Sequence, residues 1–541
     1  MIYKRIIFLM VILLLLINIS TSQEKMDWTN LDHCTSVVIS KGASSDGSIM
    51  TTHSCDGNFE FRIHLVSAKD HKEGAMRPVY KGGGRGREKD QAKKVGEIPE
   101  LMHTFARYDA SYPFMNEKQV AIGETTIGGK RELYNDEGIF DIMALERVAL
   151  ERASTAREAI KIMGELATKY GYSDYGECLT VIDKKEAWFF EIFGPGPIEI
   201  GSVWAARRIP DGEIGVSANR SRITTLNLKN KDHYMASENV FSLAEEMGWW
   251  DPESGEEFVF NKAYAPPPSH YNYRREWRAF DLLAPSLKLD PWDVNLPFSI
   301  KPDKKVSKKD LMKIHRDSYE GTQFDMTKGM AAGPFGTPTR WGTRTRAQAG
   351  YVGWERSIAI FRCAYCVVLQ CRDWLPDWIG GIAWFAEDNP KTACFVPFYA
   401  GNTKLPKAFE VGGRDKFERE SAFWAFNFVA NWAEIKFSYI FEDIQKKYSE
   451  FENEFYANQS GIEKKAVELY KQDPKKAQQF ITDYSCKKAQ RVVDEWWKFG
   501  DYLIAKYSDG YINLPKTGQS VGYPEEWLEK VEFGKTKIIK K

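Results

Sequence analysis

The chain has 541 residues, and 75 Lys and Arg balance 75 Asp and Glu, so its formal net charge is +0. Hydrophobic residues make up 43% and charged residues 28%, which is globular usage and excludes a disordered or fibrous chain. Balanced charge argues against a nucleic-acid partner, because phosphate binding needs clustered cations, and eight Cys over this length exclude a small disulfide-stapled scaffold.

Lys4 and Arg5 precede an apolar run from Ile6 to Ile19, broken by Asn18 alone, and Ser20 to Ser22 follow as small residues. This is the order of a secretory signal, placed at residues 1–22. The run falls short of the ~20 apolar residues that span a bilayer, and no later stretch is longer. The mature protein is therefore expected to be secreted or periplasmic, with no stable membrane insertion. Residues 23–33 are a short polar piece. Thr35 to Ser40 reads as a strand, Ala43 to Gly47 as a turn and Ser48 to Thr52 as the return strand. Lys81-Gly-Gly-Gly-Arg-Gly86 is a loop without the Gly-Lys-Ser/Thr ending of a phosphate cradle.

Ile139 to Arg152 carries a helical apolar stripe at Ile142, Leu145, Val148 and Ala149. Thr155 with Glu158 predicts a capping box for a second helix that ends before Gly171. Strands are predicted at Leu179 to Ile182, Ala187 to Phe193, Val203 to Ala206 and Ile214 to Ala218, with a turn at Pro210 to Gly212. Pro266 to Pro268 lies in a long aromatic connection. Further strands are predicted at Ser357 to Phe361, Val367 to Gln370 and Phe395 to Tyr399, and from Phe423 onward the pattern is helical. This alternation predicts layered α and β structure.

Zinc-peptidase, nucleophile-elbow and dinucleotide motifs are absent. Cys363, Cys366 and Cys371 invite a metal reading, but residues three apart in a strand face opposite ways, so Cys363 and Cys366 are expected to diverge as buried thiols. Cys34 stands out by position, just past a removable leader and at the head of a strand. A cut between His33 and Cys34 gives the thiol a neighbouring α-amine with a reference pKa of about 7.7–8.0, able to act as its general base. Read alone, a single Cys in an exported protein is more often half of a disulfide or a core thiol.

The segment from Cys34 to Ser48, closed by His53-Ser-Cys-Asp56, resembles the opening of the C69 family of dipeptidases, N-terminal-nucleophile hydrolases related to penicillin V acylase and bile salt hydrolase. The likeness continues through Val120-Ala-Ile-Gly-Glu-Thr-Thr126, Glu186-Ala-Trp-Phe-Phe-Glu191, Ala218-Asn-Arg-Ser-Arg-Ile223 and Arg316-Asp-Ser-Tyr-Glu-Gly-Thr322 to Pro397-Phe-Tyr-Ala-Gly401. The resemblance implies an α+β fold, the αββα four-layer sandwich, over residues 34–422, with a helical C-terminal region over residues 423–541. It implies Cys34 as nucleophile, Asp56 orienting the α-amine, Asn219 in the oxyanion hole, and Arg222 holding site electrostatics or a substrate carboxylate. Related acylases carry Arg three residues before the acidic residue, and this chain has His53 there, whose charge would depend on pH. Asn219-Arg-Ser221 is also a glycosylation sequon, which conflicts with an oxyanion role if used. The implied reaction is hydrolysis of short peptides, dipeptides first among them, through a thioester, with no cofactor. An amidase or acylase on a non-peptide amide is the rival, and a non-catalytic surface protein keeping the fold is another. A homo-oligomer is neither required nor excluded by the sequence.

Overall fold

The computed structural model describes residues 34–82, 92–196, 200–341, 355–514 and 518–531. The expected leader and propeptide, and most of the glycine-rich run after Lys81, lie outside them. Everything below belongs to the unit formed by residues 32–339 and 355–541.

The elements that matter here, in chain order, begin with β1 (Ser36–Ile39), β2 (Ile49–Asp56) and β3 (Ala121–Thr126). Helices α1 (Ile142–Arg152) and α2 (Ala156–Tyr170) follow, then β4 (Gly176–Ile182), β5 (Ala187–Phe193), β6 (Val203–Arg208), β7 (Ile214–Ser217) and β8 (Tyr234–Ala236). Next come α3 (His270–Leu283), β9 (Ser299–Ile300) and α4 (Lys308–His315). The last are β10 (Cys363–Cys371), β11 (Ile382–Glu387), β12 (Val396–Tyr399), α5 (Ala422–Ala433), α6 (Phe437–Gln472) and α7 (Pro474–Tyr507). The chain is thus a mixed α+β structure. Among the described residues, two antiparallel sheets dominate: one ordered β9-β7-β1-β2-β10-β11-β12, the other β8-β6-β5-β4-β3.

The two sheets meet face to face through small and polar side chains. Thr51 and Thr180 share a hydroxyl hydrogen bond of 2.6 Å, and so do Thr125 and Ser217. Ser36 donates across the gap to the Glu124 carbonyl at 3.0 Å. Such short side chains allow a close approach, and Gly123 marks its limit: a Cβ built there would lie 2.3 Å from the Thr52 carbonyl oxygen. The outer faces are covered by helices. Helix α2 lies against β6, with Gly164 so close to the Trp204 indole that a Cβ would sit 2.3 Å from it. On the other sheet, Arg316 just beyond α4 and the Phe395 amide ahead of β12 both bond to Glu452 of α6, while the Tyr399 hydroxyl and Arg372 meet Glu463 of the same helix.

Several local expectations need revision. Thr155 caps α2 by accepting from the Glu158 amide, but the Glu158 carboxylate reaches back to the Ser154 amide and hydroxyl, so the reciprocal box is displaced by one residue. The run from Ser357 to Phe361 is no strand, because its carbonyls turn inward: Arg356 takes the carbonyls of Ser357 and Ile358, and Ser357 closes on the Ala359 carbonyl. A register shift between Cys363 and Tyr365 sets Cys363 opposite Asp56 and Cys366 opposite Ser54. The bulge thereby returns Cys363 and Cys366 to one face of the sheet, against the simple alternation rule. The Pro266 to Pro268 connection ends at α3, a helix that the expected long connection conceals. No helix among the described residues is long and apolar enough to cross a membrane.

Gly123→Ala is expected to cost about 1–3 kcal/mol through overpacking at the sheet interface. Chemical denaturation of the variant against the parent chain measures it, and an unchanged midpoint would contradict the close approach described here.

Candidate active site

Cys34 lies two residues ahead of the first residue of β1 and is 1% exposed. Thr35 fixes its place in the sheet. The Thr35 amide donates to Ser54 Oγ at 3.0 Å, and the Ser54 amide donates to the Thr35 carbonyl at 3.2 Å. Ser54 Oγ in turn donates to Asp56 Oδ2 at 3.0 Å. Asp56 is therefore tied to the segment that carries Cys34 through Ser54, and it forms a buried ion pair with Arg356. Asp56 Oδ1, also buried, has no hydrogen-bond partner.

The feature that assembles the rest is the guanidinium of Arg275, on α3. Its Nη1 donates to the Cys34 carbonyl at 2.8 Å and to Thr35 Oγ1 at 2.9 Å. Its Nη2 donates to the Ala218 carbonyl at 3.1 Å and to Asn219 Oδ1 at 2.8 Å, and Nε reaches the Tyr271 carbonyl at 3.0 Å. A planar fork of five N–H groups is the one side chain that can hold so many acceptors at once. Burial pushes its pKa down to about 10, with Arg356 a second cause, and it remains charged at neutral pH.

Asn219 follows β7 in the left-handed region, with φ of 64°. The turn that places it there is held from below by Glu191, whose carboxylate accepts the Arg222 and Ile223 amides and the Ser221 hydroxyl. Helix α3 adds Glu276, which takes the Ala218 amide at 3.3 Å. The Asn219 side chain gives its oxygen to Arg275 and donates from Nδ2 to the Thr126 carbonyl at 2.7 Å. It is 7% exposed, which leaves no room for a glycan on that amide in the folded chain.

Arg222 is placed differently. Its guanidinium donates to Glu276 at 2.7 Å and to the Pro297 carbonyl, and burial pushes its pKa down to about 10. The guanidinium that touches Cys34 and Asn219 is that of Arg275. Sequence reasoning passed over Arg275, Arg356 and Glu124. The available signal for Arg275 was a run of charged residues, Arg274 to Glu276, too dense for a connecting loop. For Glu124 it was an acidic residue among small ones in the Val120 to Thr126 segment.

His53 is buried between the rings of Tyr112 and Tyr365, with centroid separations of 5.3 and 5.6 Å. Its Nδ1 meets the Glu124 carbonyl at 2.9 Å. Burial lowers its pKa, outweighing the opposing pull of Glu124, so His53 is neutral at neutral pH and does not replace a permanent cation. The Cys34 thiol is pushed well up, first by burial and then by the Glu124 charge. It is a thiol at neutral pH and needs a base to become a nucleophile. All eight cysteines are free, Cys34 included.

His315, at the end of α4, is fully buried, with its pKa pushed down to about 4 by burial against the favourable charge of Asp56. An unfolded imidazole titrates near 6.5. Between about pH 4 and 6.5 the unfolded chain holds a proton here that the folded chain does not, so stability rises with pH across that window. His315 alone contributes on the order of 3 kcal/mol of acid destabilisation. Chemical denaturation at pH 4.5 and 7.5, with His315→Asn alongside, is expected to show a smaller pH difference in the variant.

Comparison with known proteins agrees on one family. The family model for peptidase family C69 matches residues 33–450. A probable dipeptidase of Salmonella dublin is 28% identical over 68% of this chain and 81% of its own length. A probable dipeptidase of Latilactobacillus sakei is 26% identical over 74% of this chain and 80% of its own. Dipeptidase A of Lactobacillus helveticus is 25% identical over 72% and 80%.

Proposed function

We propose that this chain, which belongs to peptidase family C69 and is therefore a peptidase, hydrolyses dipeptides through Cys34 once the chain ahead of that residue has been removed. The observation that carries this reading is the Arg275 fork, which holds the Cys34 carbonyl and the Asn219 amide with one rigid group. The names of the related dipeptidases support the substrate class. Two facing sheets with helices outside them support assignment to the αββα sandwich of the N-terminal-nucleophile hydrolases. The basic and apolar start of the sequence supports export.

In this mechanism the α-amine of Cys34 accepts the thiol proton. A buried thiol with a raised pKa requires such a partner, and neutral His53, with Nδ1 held at the Glu124 carbonyl, is not placed as a cationic helper. The sulfur attacks the peptide carbonyl. The second hydrogen of Asn219 Nδ2 faces the charge that develops on oxygen, while the first stays with Thr126. The amine then protonates the leaving amino group, and water hydrolyses the thioester. Ser54 and Asp56 keep the strand ends in register during both steps.

Two outcomes are expected. N-terminal sequencing of the active protein should begin at Cys34, and Cys34→Ser should lose hydrolysis of a dipeptide panel; an active chain that retains residue 33 would defeat the mechanism. Asn219→Ala should lower kcat by about 10²–10³ with a smaller effect on KM, read from steady-state kinetics.

A further inference from the structure

Cys34, His53 and Glu124 form a set that the hydrolytic mechanism does not exhaust. One ligand atom from each, the thiol sulfur, a ring nitrogen and a carboxylate oxygen, lies within 4.8 Å of the other two. All three residues are buried. His53 Nε2 and Glu124 Oε2 are enclosed without any hydrogen-bond partner. Buried polar atoms normally find a partner, so two orphaned atoms in this cluster, one on the imidazole and one on the carboxylate, call for a group that would fill them.

The chemistry of the set specifies that group. Sulfur, imidazole nitrogen and carboxylate oxygen together are a borderline-soft donor set, suited to a tetrahedral cation of the zinc type and poorly suited to magnesium or calcium. A thiolate, a carboxylate and a neutral imidazole carry two negative charges, which a divalent ion cancels within a buried site. Zinc–ligand bonds of about 2.0–2.3 Å put ligand atoms roughly 3.3–3.8 Å apart, so the set must contract by about an ångström. The α-amine of an N-terminal cysteine forms a five-membered chelate with its own sulfur and supplies the fourth donor.

We propose that Cys34, His53 and Glu124, joined by the Cys34 α-amine, form a binding site for a zinc-class divalent cation that holds the nucleophile in a reversible inactive state. The fourth donor rests on the cut at residue 33 proposed above; the three side-chain donors do not. Binding exchanges the thiol proton for the metal, and that proton passes to solvent. Removal of the metal by a chelator returns the thiol.

The test uses the processed chain and cobalt(II), then zinc. One equivalent of cobalt is expected to give a near-ultraviolet thiolate-to-metal band and the intense visible bands of tetrahedral coordination, both bleached by zinc. Cys34→Ser should abolish the near-ultraviolet band. Glu124→Gln should weaken binding about tenfold or more, and His53→Phe, which keeps the ring contacts, provides the same test should Glu124→Gln not fold. Zinc should stop dipeptide hydrolysis, and a chelator should restore it. Absence of a thiolate band, its survival in Cys34→Ser, or unchanged cobalt affinity in both other variants would each overturn the site. The spectra read metal binding whether or not the protein cleaves dipeptides, so failure of the hydrolytic reading leaves them intact.

Discussion

The close approach of the two sheets at Gly123 is the constraint on which the site depends. With no side chain there, the backbone of β3 comes against the Thr52 carbonyl, and the next residue, Glu124, is carried into the space beside β1 and β2. The sheets are held at this distance by hydroxyls and one imidazole where large apolar side chains would keep them further apart. Hydrogen bonds are directional and register-specific. A seam built from them fixes where Cys34 stands relative to Glu124 more tightly than interleaved leucines would.

Around that seam, charge is arranged in buried pairs. Arg356 faces Asp56, and Glu276 faces both Arg220 and Arg222. Arg275 is turned over entirely to neutral oxygens, four backbone or side-chain acceptors from the strand ends and one carbonyl from its own helix. It thus acts as a positive brace for the Cys34 and Ala218 backbones and the Asn219 side chain. A buried guanidinium with every donor used is costly to dislodge, because several acceptors would be left unpaired together.

The parts of this arrangement legible in the sequence were those governed by local rules. Strand alternation and turn residues placed β1, β2 and β5 to within a few residues, and the order of short motifs named the family. The Cys34, Asp56 and Asn219 positions came from that order. Arg275 stayed hidden because α3 inverts the usual helix signal. Its buried face carries Arg274, Arg275, Glu276 and Arg278, so a hydrophobicity pattern reads it as solvated, and the proline run just before it reads as a connection. Arg222 was legible as a cation after Asn219, but only the fold shows that Glu276 lies within its reach. The bulge after Cys363 was equally invisible, since one extra residue in a strand leaves no compositional trace.

The guanidinium that braces Cys34 is contributed from 241 positions further along the chain, and the one that neutralises Asp56 from 300 positions further. Contacts this distant in sequence form late, after loop closure has brought the segments together. A nascent chain that has not yet emerged past residue 356 therefore carries Cys34 without its scaffold. The surroundings of Cys34 are completed only when most of the polypeptide has been made, so the order of synthesis sets when this site can assemble.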